Sequence, residues 1–313
     1  MKILVTGATG FLGAQLVPAL SSRSHSVVSG TRSPERVLGN SIPFQIDDLN
    51  AETDWSGGLV GVDVVVHCAA RAHILEGVSA DTEREFETIN VQGTLNLARQ
   101  AIAAGVKRFV FISSIKVNGE ETLPGEAFTE IDRPQPRDAY GRSKHEAEKG
   151  LSMMSESSNF DVVIIRPPLV YGPGVKANFL KLTQLVSSGI PLPLGAIHNR
   201  RSLIAVGNLV DFICVCTESP QAANEIFLIS DGEDVSTTKL LVTMYGVLGQ
   251  SVRLIPFPAR LLRIVCRVVG KGDVATRLCG SLQADISKAR RLLSWKPPIT
   301  LLKGIGLVVK DCE

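Results

Sequence analysis

Short apolar runs alternate with longer amphipathic stretches along most of the chain. The short runs are rich in β-branched residues, which is typical of strands buried on both faces of a parallel sheet. The intervening stretches carry apolar residues at helical spacing, as between Thr82 and Ala104. This alternation predicts an α/β fold with a doubly wound parallel sheet. The predicted strands cover 2–6, 26–32, 62–67, 108–114, 160–166 and 225–230, with another before Ile46.

The alternation breaks after Tyr171. A Gly/Pro-rich loop, a helix and the basic cluster His198–Arg201 follow, and the segment after position 233 is mostly helical. We therefore expect two units: a dinucleotide-binding domain of residues 1–170 and 201–232, and a smaller, mostly helical C-terminal substrate lobe of residues 171–200 and 233–313. In this division, 201–232 returns to the main sheet.

Composition excludes several classes of protein. At 313 residues, with 44% hydrophobic and 20% charged residues, the chain can bury a sizeable core. A net charge of +2 argues against a dedicated nucleic-acid binder, which would carry a basic stripe. No apolar run reaches the roughly 18 residues of a membrane span, and no signal peptide is expected before the first strand. Six cysteines without metal-ligand spacing predict reduced thiols in a cytoplasmic protein with no metal site.

A glycine-rich turn, Gly7 to Gly13 (GATGFLG), lies between the first strand and the first helical pattern. Glycines permit the tight turn and let a pyrophosphate approach backbone N–H groups at the positive end of a helix. The strand–turn–helix context predicts a dinucleotide site, with an ordinary tight turn as the alternative.

The end of the second strand bears on the choice of cofactor. An NAD-selective site places Asp or Glu there to bond the ribose hydroxyls, whereas this chain has Gly30, Thr31 and Arg32. A carboxylate would repel a 2′-phosphate, and an arginine can pair with it. The pattern favours NADP(H), with NAD(H) possible if Arg32 only stacks on adenine.

Two further strand ends carry candidate site residues. Ser113 and Ser114 should face the site, because ligands collect at the carboxyl ends of strands in a doubly wound sheet. Ala69 and Ala70 are small residues where the backbone could pass close to a cofactor. His67 is predicted to be a core or strand-end histidine rather than a catalytic one.

Tyr140 and Lys144 are four residues apart and lie on one face if their segment is helical. A free phenol has a pKa of about 10, and a neighbouring cation favours the phenolate. The two side chains could form a proton-transfer pair, although the same spacing also occurs on solvated helix faces.

Taken together, these motifs resemble those of the extended short-chain dehydrogenase/reductases. Among these, the chain is most similar to the nucleotide-sugar branch of the NAD-dependent epimerase/dehydratase family. The resemblance runs nearly end to end and implies a Rossmann sheet. It is carried by the segments 6–13, 67–70, 90–94, 113–114, 140–144, 166–174, 201–209 and 288–297.

The resemblance implies roles for the site residues. Lys144 would bond the nicotinamide ribose and lower the pKa of Tyr140, which would exchange a proton with the sugar oxygen held by Ser114. Asn178 and Arg201 would grip the nucleotide diphosphate, although Arg201 could also be a surface residue of a basic run. The full set of expected cofactor contacts is Gly7, Thr9, Gly10, Phe11, Leu12, Gly13, Arg32, Asp48, Leu49, Ala69, Ala70, Tyr140 and Lys144.

Departures from the family pattern narrow the reaction. Ile115-Lys116 stands where 4,6-dehydratases carry an Asp-Glu pair, Asn118 where a tyrosine is frequent, and Leu169 where an epimerase-type asparagine occurs. The leading hypothesis is therefore an NAD(P)(H)-dependent reductase that acts on a nucleotide-linked 4-keto-6-deoxy sugar in bacterial surface-polysaccharide synthesis. UDP is the favoured nucleotide. The alternative is a UDP-sugar 4-epimerase with tightly held NAD, which would show no net cofactor turnover.

Two other classes are less favoured. A silent dinucleotide sensor would be expected to have lost Tyr140 or Lys144, and a steroid or alcohol reductase would have no use for Asn178 and Arg201. The segment 258–269 is an apolar helix with three arginines, interpreted as a lobe helix, with peripheral contact to anionic lipid as the alternative. A homodimer is expected.

Overall fold

The computed structural model describes residues 1–37, 39–72, 80–123, 125–175, 178–270 and 272–312. None of the helices within these ranges is long and apolar enough to cross a bilayer.

The strands are β1 Lys2–Thr6, β2 Ser26–Thr31, β3 Ile42–Gln45, β4 Val64–His67, β5 Arg108–Ile112, β6 Asp161–Arg166, β7 Leu169–Tyr171, β8 Leu203–Ala205 and β9 Ile226–Leu228. The α-helices are α1 Gly13–Ser22, α2 Ala80–Phe86, α3 Thr94–Ala103, α4 Ala139–Glu156, α5 Asn178–Ser187, α6 Val206–Glu218, α7 Thr237–Val247, α8 Ala259–Val268, α9 Gly272–Cys279, α10 Ser287–Leu293 and α11 Leu301–Cys312.

Seven strands form one parallel sheet in the order β3-β2-β1-β4-β5-β6-β9. The chain runs outward from β1 to β3 and then returns to add β4 on the other side of β1. The loops that follow β1 and β4 therefore diverge and leave a crevice at the carboxyl edge of the sheet. The doubly wound fold predicted from the sequence is confirmed.

Each face of the sheet is covered by its own pair of helices. Ile3 and Val5 point into a core completed by α1 and α6, while Leu4 points into the opposite core with α3 and α4. This alternation follows from the two-residue period of a strand. Both faces are thus apolar, and polar groups collect at the strand ends.

A third core lies outside the sheet. Tyr171, Phe179, Met244 and Ile305 pack together in a cluster built largely from α5, α7 and α11. The structure thus contains the expected helical C-terminal part. The residue boundaries of the two predicted domains stay a prediction.

Two expectations about these elements need correction. β8 pairs with β7 in a separate two-stranded sheet, so within 201–232 only β9 returns to the main sheet. The helix expected from Thr82 to Ala104 is divided by a π-helical segment, Glu87–Gly93. This segment contains Asn90, a buried amide whose hydrogen bonds to the Arg71 backbone and to Ser143 lie outside the helix ladder.

Candidate active site

The glycine turn after β1 exposes unpaired backbone donors. Gly7 has φ +67°, and a Cβ there would lie 2.9 Å from the Ala69 nitrogen, so only glycine fits between the ends of β1 and β4. Within the described residues, the backbone N–H groups of Phe11 and Leu12 make no hydrogen bond. The first turn of α1 carries no acidic side chain. The positive end of this helix is therefore open to an anion.

The end of β2 forms a polar rim beside this turn. The Thr31 hydroxyl lies 3.0 Å from that of Thr9 and accepts a hydrogen bond from the Ser33 nitrogen at 3.1 Å. Arg32 is exposed and makes no ion pair in the described part of the chain. Asp48 is also exposed, whereas the neighbouring Leu49 is buried. The end of β2 thus presents an unpaired guanidinium to solvent, and the segment after β3 presents a carboxylate.

Helix α4 begins with a capped turn that carries the predicted pair. The Asp138 carboxylate accepts a hydrogen bond from the Gly141 nitrogen at 2.7 Å, which fixes the start of the helix. Tyr140 and Lys144 lie one turn apart on this helix. The Lys116 ammonium pairs with Asp138 and lies 6.0 Å from the Tyr140 ring centroid. The turn after Ser114 and the first turn of α4 are thereby held together.

Lys144 is buried and only partly satisfied. Its ammonium donates one hydrogen bond, to the Ile112 carbonyl at 2.8 Å, and lies 4.5 Å from the Phe111 ring centroid. Burial lowers its pKa to about 8, against the opposing influence of Cys68 and Glu148. An ammonium has three N–H donors, so two remain for a ligand in the crevice.

The pKa of Tyr140 departs from expectation. The phenol is half-buried next to Phe86, at 6.1 Å between ring centroids. Burial raises its pKa well above the ordinary value, and the Asp138 carboxylate raises it further. The predicted lowering by Lys144 is wrong, because the desolvation of the phenol and the nearby Asp138 carboxylate dominate its pKa.

The two serines after β5 have different surroundings. Ser113 is buried, and its hydroxyl donates to Glu148 Oε1 at 2.5 Å. Ser114 is half-buried, and its oxygen accepts from the Lys116 nitrogen at 3.2 Å. The Ser114 hydroxyl proton is thus available to a ligand, whereas the Ser113 hydroxyl proton is already donated to Glu148.

A buried ion pair beneath the site was not predicted. Arg166, at the end of β6, donates to both carboxylate oxygens of Glu148 on α4, at 2.9 and 2.5 Å, and to Asn118 Oδ1 at 3.0 Å. Burial alone would raise the pKa of Glu148, but His145, Arg166 and Ser113 outweigh it and hold that pKa below its usual value. One signal for it was present in the sequence: Glu148 follows Tyr140 and Lys144 at the same four-residue spacing.

Comparison with known proteins identifies the family of this chain. The model of the NAD dependent epimerase/dehydratase family matches residues 3–230. The chain belongs to this family. It is 48% identical to the UDP-glucose 4-epimerase of Vibrio cholerae over 97% of this chain and 93% of that protein.

Two solved structures have the same fold. The UDP-glucose 4-epimerase of Thermotoga maritima, solved with UDP-glucose, has a TM-score of 0.79 at 23% identity, covering 100% of this chain and 98% of that one. The UDP-glucuronic acid 4-epimerase of Bacillus cereus, solved with NAD, also has a TM-score of 0.79 at 24% identity, covering 99% and 96%. At these levels of sequence identity, the two similarities show that the fold is shared.

The cofactor named by the family fits the residues present. Open N–H groups at the start of α1 suit a pyrophosphate, and the spare donors of Lys144 suit ribose hydroxyls. No cluster of three or more metal-ligating side chains occurs where the structure is described. The crevice thus offers a dinucleotide both an anion site and a hydroxyl site.

The two residues expected to contact the diphosphate are Arg201 and Asn178. Arg201 is half-buried and donates to the Gly280 carbonyl at 3.1 Å. Burial lowers its pKa, with Glu121 opposing and Arg277 adding to the effect. Asn178 opens α5, but its side chain lies outside the described residues. No contact in the described part of the chain joins Arg201 to Tyr140.

His67 has a structural role in this member of the family. Its two ring nitrogens lie 2.7 Å from the Thr6 hydroxyl and 2.9 Å from the Thr94 hydroxyl, fully buried. Burial, and secondarily Lys144, lower its pKa to about 3. The ring therefore stays neutral in the folded protein and ties β1, β4 and α3 together.

This environment predicts an acid-sensitive fold. The unfolded chain binds a proton on His67 below about pH 6.5 and the folded chain does not, so stability is lost as pH falls from 6.5 towards 3. His67 should contribute about 2 kcal/mol of the loss between pH 7 and pH 5. Urea denaturation should show a flatter pH dependence for His67→Gln, whereas the exposed control His198→Gln should keep the native slope. Equal slopes for all three proteins would contradict the prediction.

Proposed function

We infer that the protein is a UDP-sugar 4-epimerase that retains NAD(H) throughout its cycle. The observation that carries this inference is the 48% identity to the Vibrio cholerae UDP-glucose 4-epimerase along 97% of the chain. Ser114, Tyr140 and Lys144 serve a reductase equally well, so the whole-chain similarity favours the epimerase over our leading hypothesis from sequence.

The crevice between the ends of β1 and β4 would hold the dinucleotide. The backbone from Thr9 to Leu12 would bind the pyrophosphate, and Lys144 the nicotinamide ribose. Support comes from the unpaired N–H groups of Phe11 and Leu12 and from the two spare donors of the buried ammonium. Asp48 and Leu49 would border the adenine.

Tyr140 would move the proton of the sugar 4-hydroxyl. When bound, the nicotinamide would reversibly accept a hydride from the sugar carbon, and the positive charge of its oxidised ring would favour a nearby phenolate. Lys144 would add a second cation once the ribose hydroxyls draw its donors towards the cleft. In the return step the Tyr140 phenol would give this proton back to the sugar oxygen.

Ser114 would hold the same oxygen as negative charge develops on it. Its free hydroxyl proton and its fixed acceptor bond from the Lys116 nitrogen support that role. Lys116 itself argues against elimination of water, because this position beside Tyr140 holds an ammonium where a dehydratase needs carboxylates.

Incubating the purified protein with UDP-glucose, without added cofactor, tests the proposal. We expect UDP-galactose to appear while absorbance at the reduced-nicotinamide band stays constant. Acid extraction should release about one NAD(H) per chain. Consumption of added NADPH or NADH with a UDP-4-keto-6-deoxy sugar, and no interconversion of UDP-hexoses, would instead support the reductase.

The reductase remains a second candidate because of one observation. β2 ends without a carboxylate, and Arg32 is exposed and unpaired among the described residues, as a 2′-phosphate site requires. A freely exchanging NADP(H) would suit a reductase.

Replacing Arg32 tests this phosphate role. A charge-assisted bond contributes about 1.5–3 kcal/mol, so Arg32→Ala should weaken NADP binding about tenfold or more and NAD binding much less. Calorimetric titration of cofactor-stripped protein measures both. Arg99→Ala, an exposed arginine on α3, is the matched control and should change neither. Equal losses for NADP and NAD would refute the phosphate role.

A further inference from the structure

Helix α8 presents an uncovered apolar surface. Ala259 and Leu262 pack against the lobe core, but no residue of this helix is buried. Its outward apolar side chains, here named the outer face of α8, are between half and four-fifths exposed, up to 82% at Val268. The outer face consists of Leu261, Ile264, Val265, Val268 and Val269. Such contiguous exposed apolar residues are uncommon unless the surface contacts something.

Three arginines form one edge of this surface. At roughly 100° per residue, Arg260, Arg263 and Arg267 fall together on an arc next to Ile264, between the outer face and the packed side of the helix. Arg263 reaches Glu121 at 3.4 Å, whereas Arg260 and Arg267 make no ion pair within the described ranges. The helix therefore has an inner packed side, an outer apolar side and a cationic edge.

The charge around α8 differs from that of the whole chain. From 235 to 272 the sequence contains no Asp or Glu and six Lys or Arg residues, while the entire protein has a net charge of only +2. The remaining chain is therefore net negative, and positive charge is concentrated around this helix. An apolar surface with a cationic border matches the interfacial region of an anionic bilayer.

We propose that the outer face of α8 docks on an anionic phospholipid membrane, with the helix lying in the plane of the interface. Ten residues of helix span about 15 Å, half of a hydrocarbon core of roughly 30 Å, so the contact is peripheral. A symmetric antiparallel contact with a second copy fits less well, because it would bring the two arginine edges to the same side of the interface. The proposal concerns a surface outside the candidate active site and holds for either reaction.

Docking would hold a large cavity near the membrane. The cavity, of about 1010 Å³, is lined by residues between 118 and 137 and by Thr276 of α9. Glu121 is one of its lining residues and the partner of Arg263. The cationic edge of α8 is thus directly connected to the border of this cavity.

Sedimentation of the full-length protein with lipid vesicles tests the proposal. We expect binding to vesicles of phosphatidylglycerol and phosphatidylcholine, weakening as salt is added, and little binding to phosphatidylcholine alone. Val268→Glu should weaken binding at least tenfold. Arg260→Gln/Arg267→Gln should weaken it about 25-fold, since each cation near an anionic surface contributes about fivefold.

Matched controls exclude non-specific effects. Val60→Glu alters another exposed valine, and Arg291→Gln another exposed arginine, both outside α8, and both should bind as the native protein does. Turnover in vesicle-free solution should be unchanged in every variant, which separates failure of docking from failure of the proposed reaction. Equal binding to neutral and anionic vesicles would overturn the proposal. The proposal would also be overturned if the protein bound no vesicles and light scattering showed a dimer that Val268→Glu dissociates.

Discussion

Tyr140→Phe should reduce the interconversion of UDP-glucose and UDP-galactose by at least about 100-fold. The substitution keeps the ring and removes the phenolic oxygen that would exchange a proton with the sugar oxygen, and positioned acid–base groups typically contribute 10²–10⁴-fold. The ring stays beside Phe86, so binding should be retained. The change should therefore appear in kcat rather than in KM, measured by chromatography of the sugar nucleotides.

Tyr245 provides a matched control for the loss of a phenolic oxygen. It is fully buried in the lobe, and its hydroxyl has no hydrogen-bond partner among the described residues. Tyr245→Phe should leave kcat unchanged. A Tyr140→Phe protein with native kcat would remove this phenol from the mechanism, whichever reaction the protein catalyses.

Arg166→Met should lower the free energy of unfolding by about 3–5 kcal/mol. The Glu148–Arg166 pair is almost completely buried, and removing one partner leaves an uncompensated charge in the interior. Asn118 and Glu148 would both lose hydrogen bonds from the guanidinium. Urea denaturation of the purified protein measures the effect.

Two variants distinguish the effect of an unpaired buried charge from general disruption of the core. Glu148→Gln/Arg166→Met removes both charges and keeps an acceptor for Ser113, so it should recover much of the lost stability. Arg142→Met breaks an exposed pair with Glu83 and should cost less than about 1 kcal/mol. If the double variant were less stable than Arg166→Met, the buried charge would not be the cause.

The pH dependence provides an independent check on Glu148. Its pKa in the folded protein is depressed, so its stabilising contribution is present above its unfolded pKa and is lost as pH falls through the folded value. Without Arg166 the buried carboxyl would take up a proton readily. The stability gap between native protein and Arg166→Met should therefore narrow as pH falls from 7 towards 4.

Features that depend on a few consecutive residues could be predicted from the sequence. The glycine turn at Gly7, the helix that carries Tyr140 and Lys144, and most strands follow from spacing and backbone preference along a few consecutive residues. The pairing of β8 with β7 could not be predicted, because a short apolar run has the same appearance whether it joins the main sheet or pairs beside it. The π-helical segment at Asn90 escaped prediction because its amide bonds groups outside its own helix.

The electrostatics of the site could not be predicted in the same way. Lys144 and Tyr140 were expected to tune each other as neighbours on one helix. Their pKa values are instead dominated by burial, in surroundings to which β4, β5 and α2 contribute. Arg166 and Asn118 lie 48 residues apart in sequence yet share a hydrogen bond beneath the site.

The amino-acid sequence by itself determined the order of strands and helices, the glycine turn and the pairing of a phenol with an ammonium one turn away. These depend on interactions between residues close in the chain. Only the tertiary structure decided which strand ends meet, that Glu148 and Arg166 neutralise each other, and that the outer face of α8 is uncovered. Burial and charge pairing are set by segments distant in sequence, so their energies become visible only when the chain is folded.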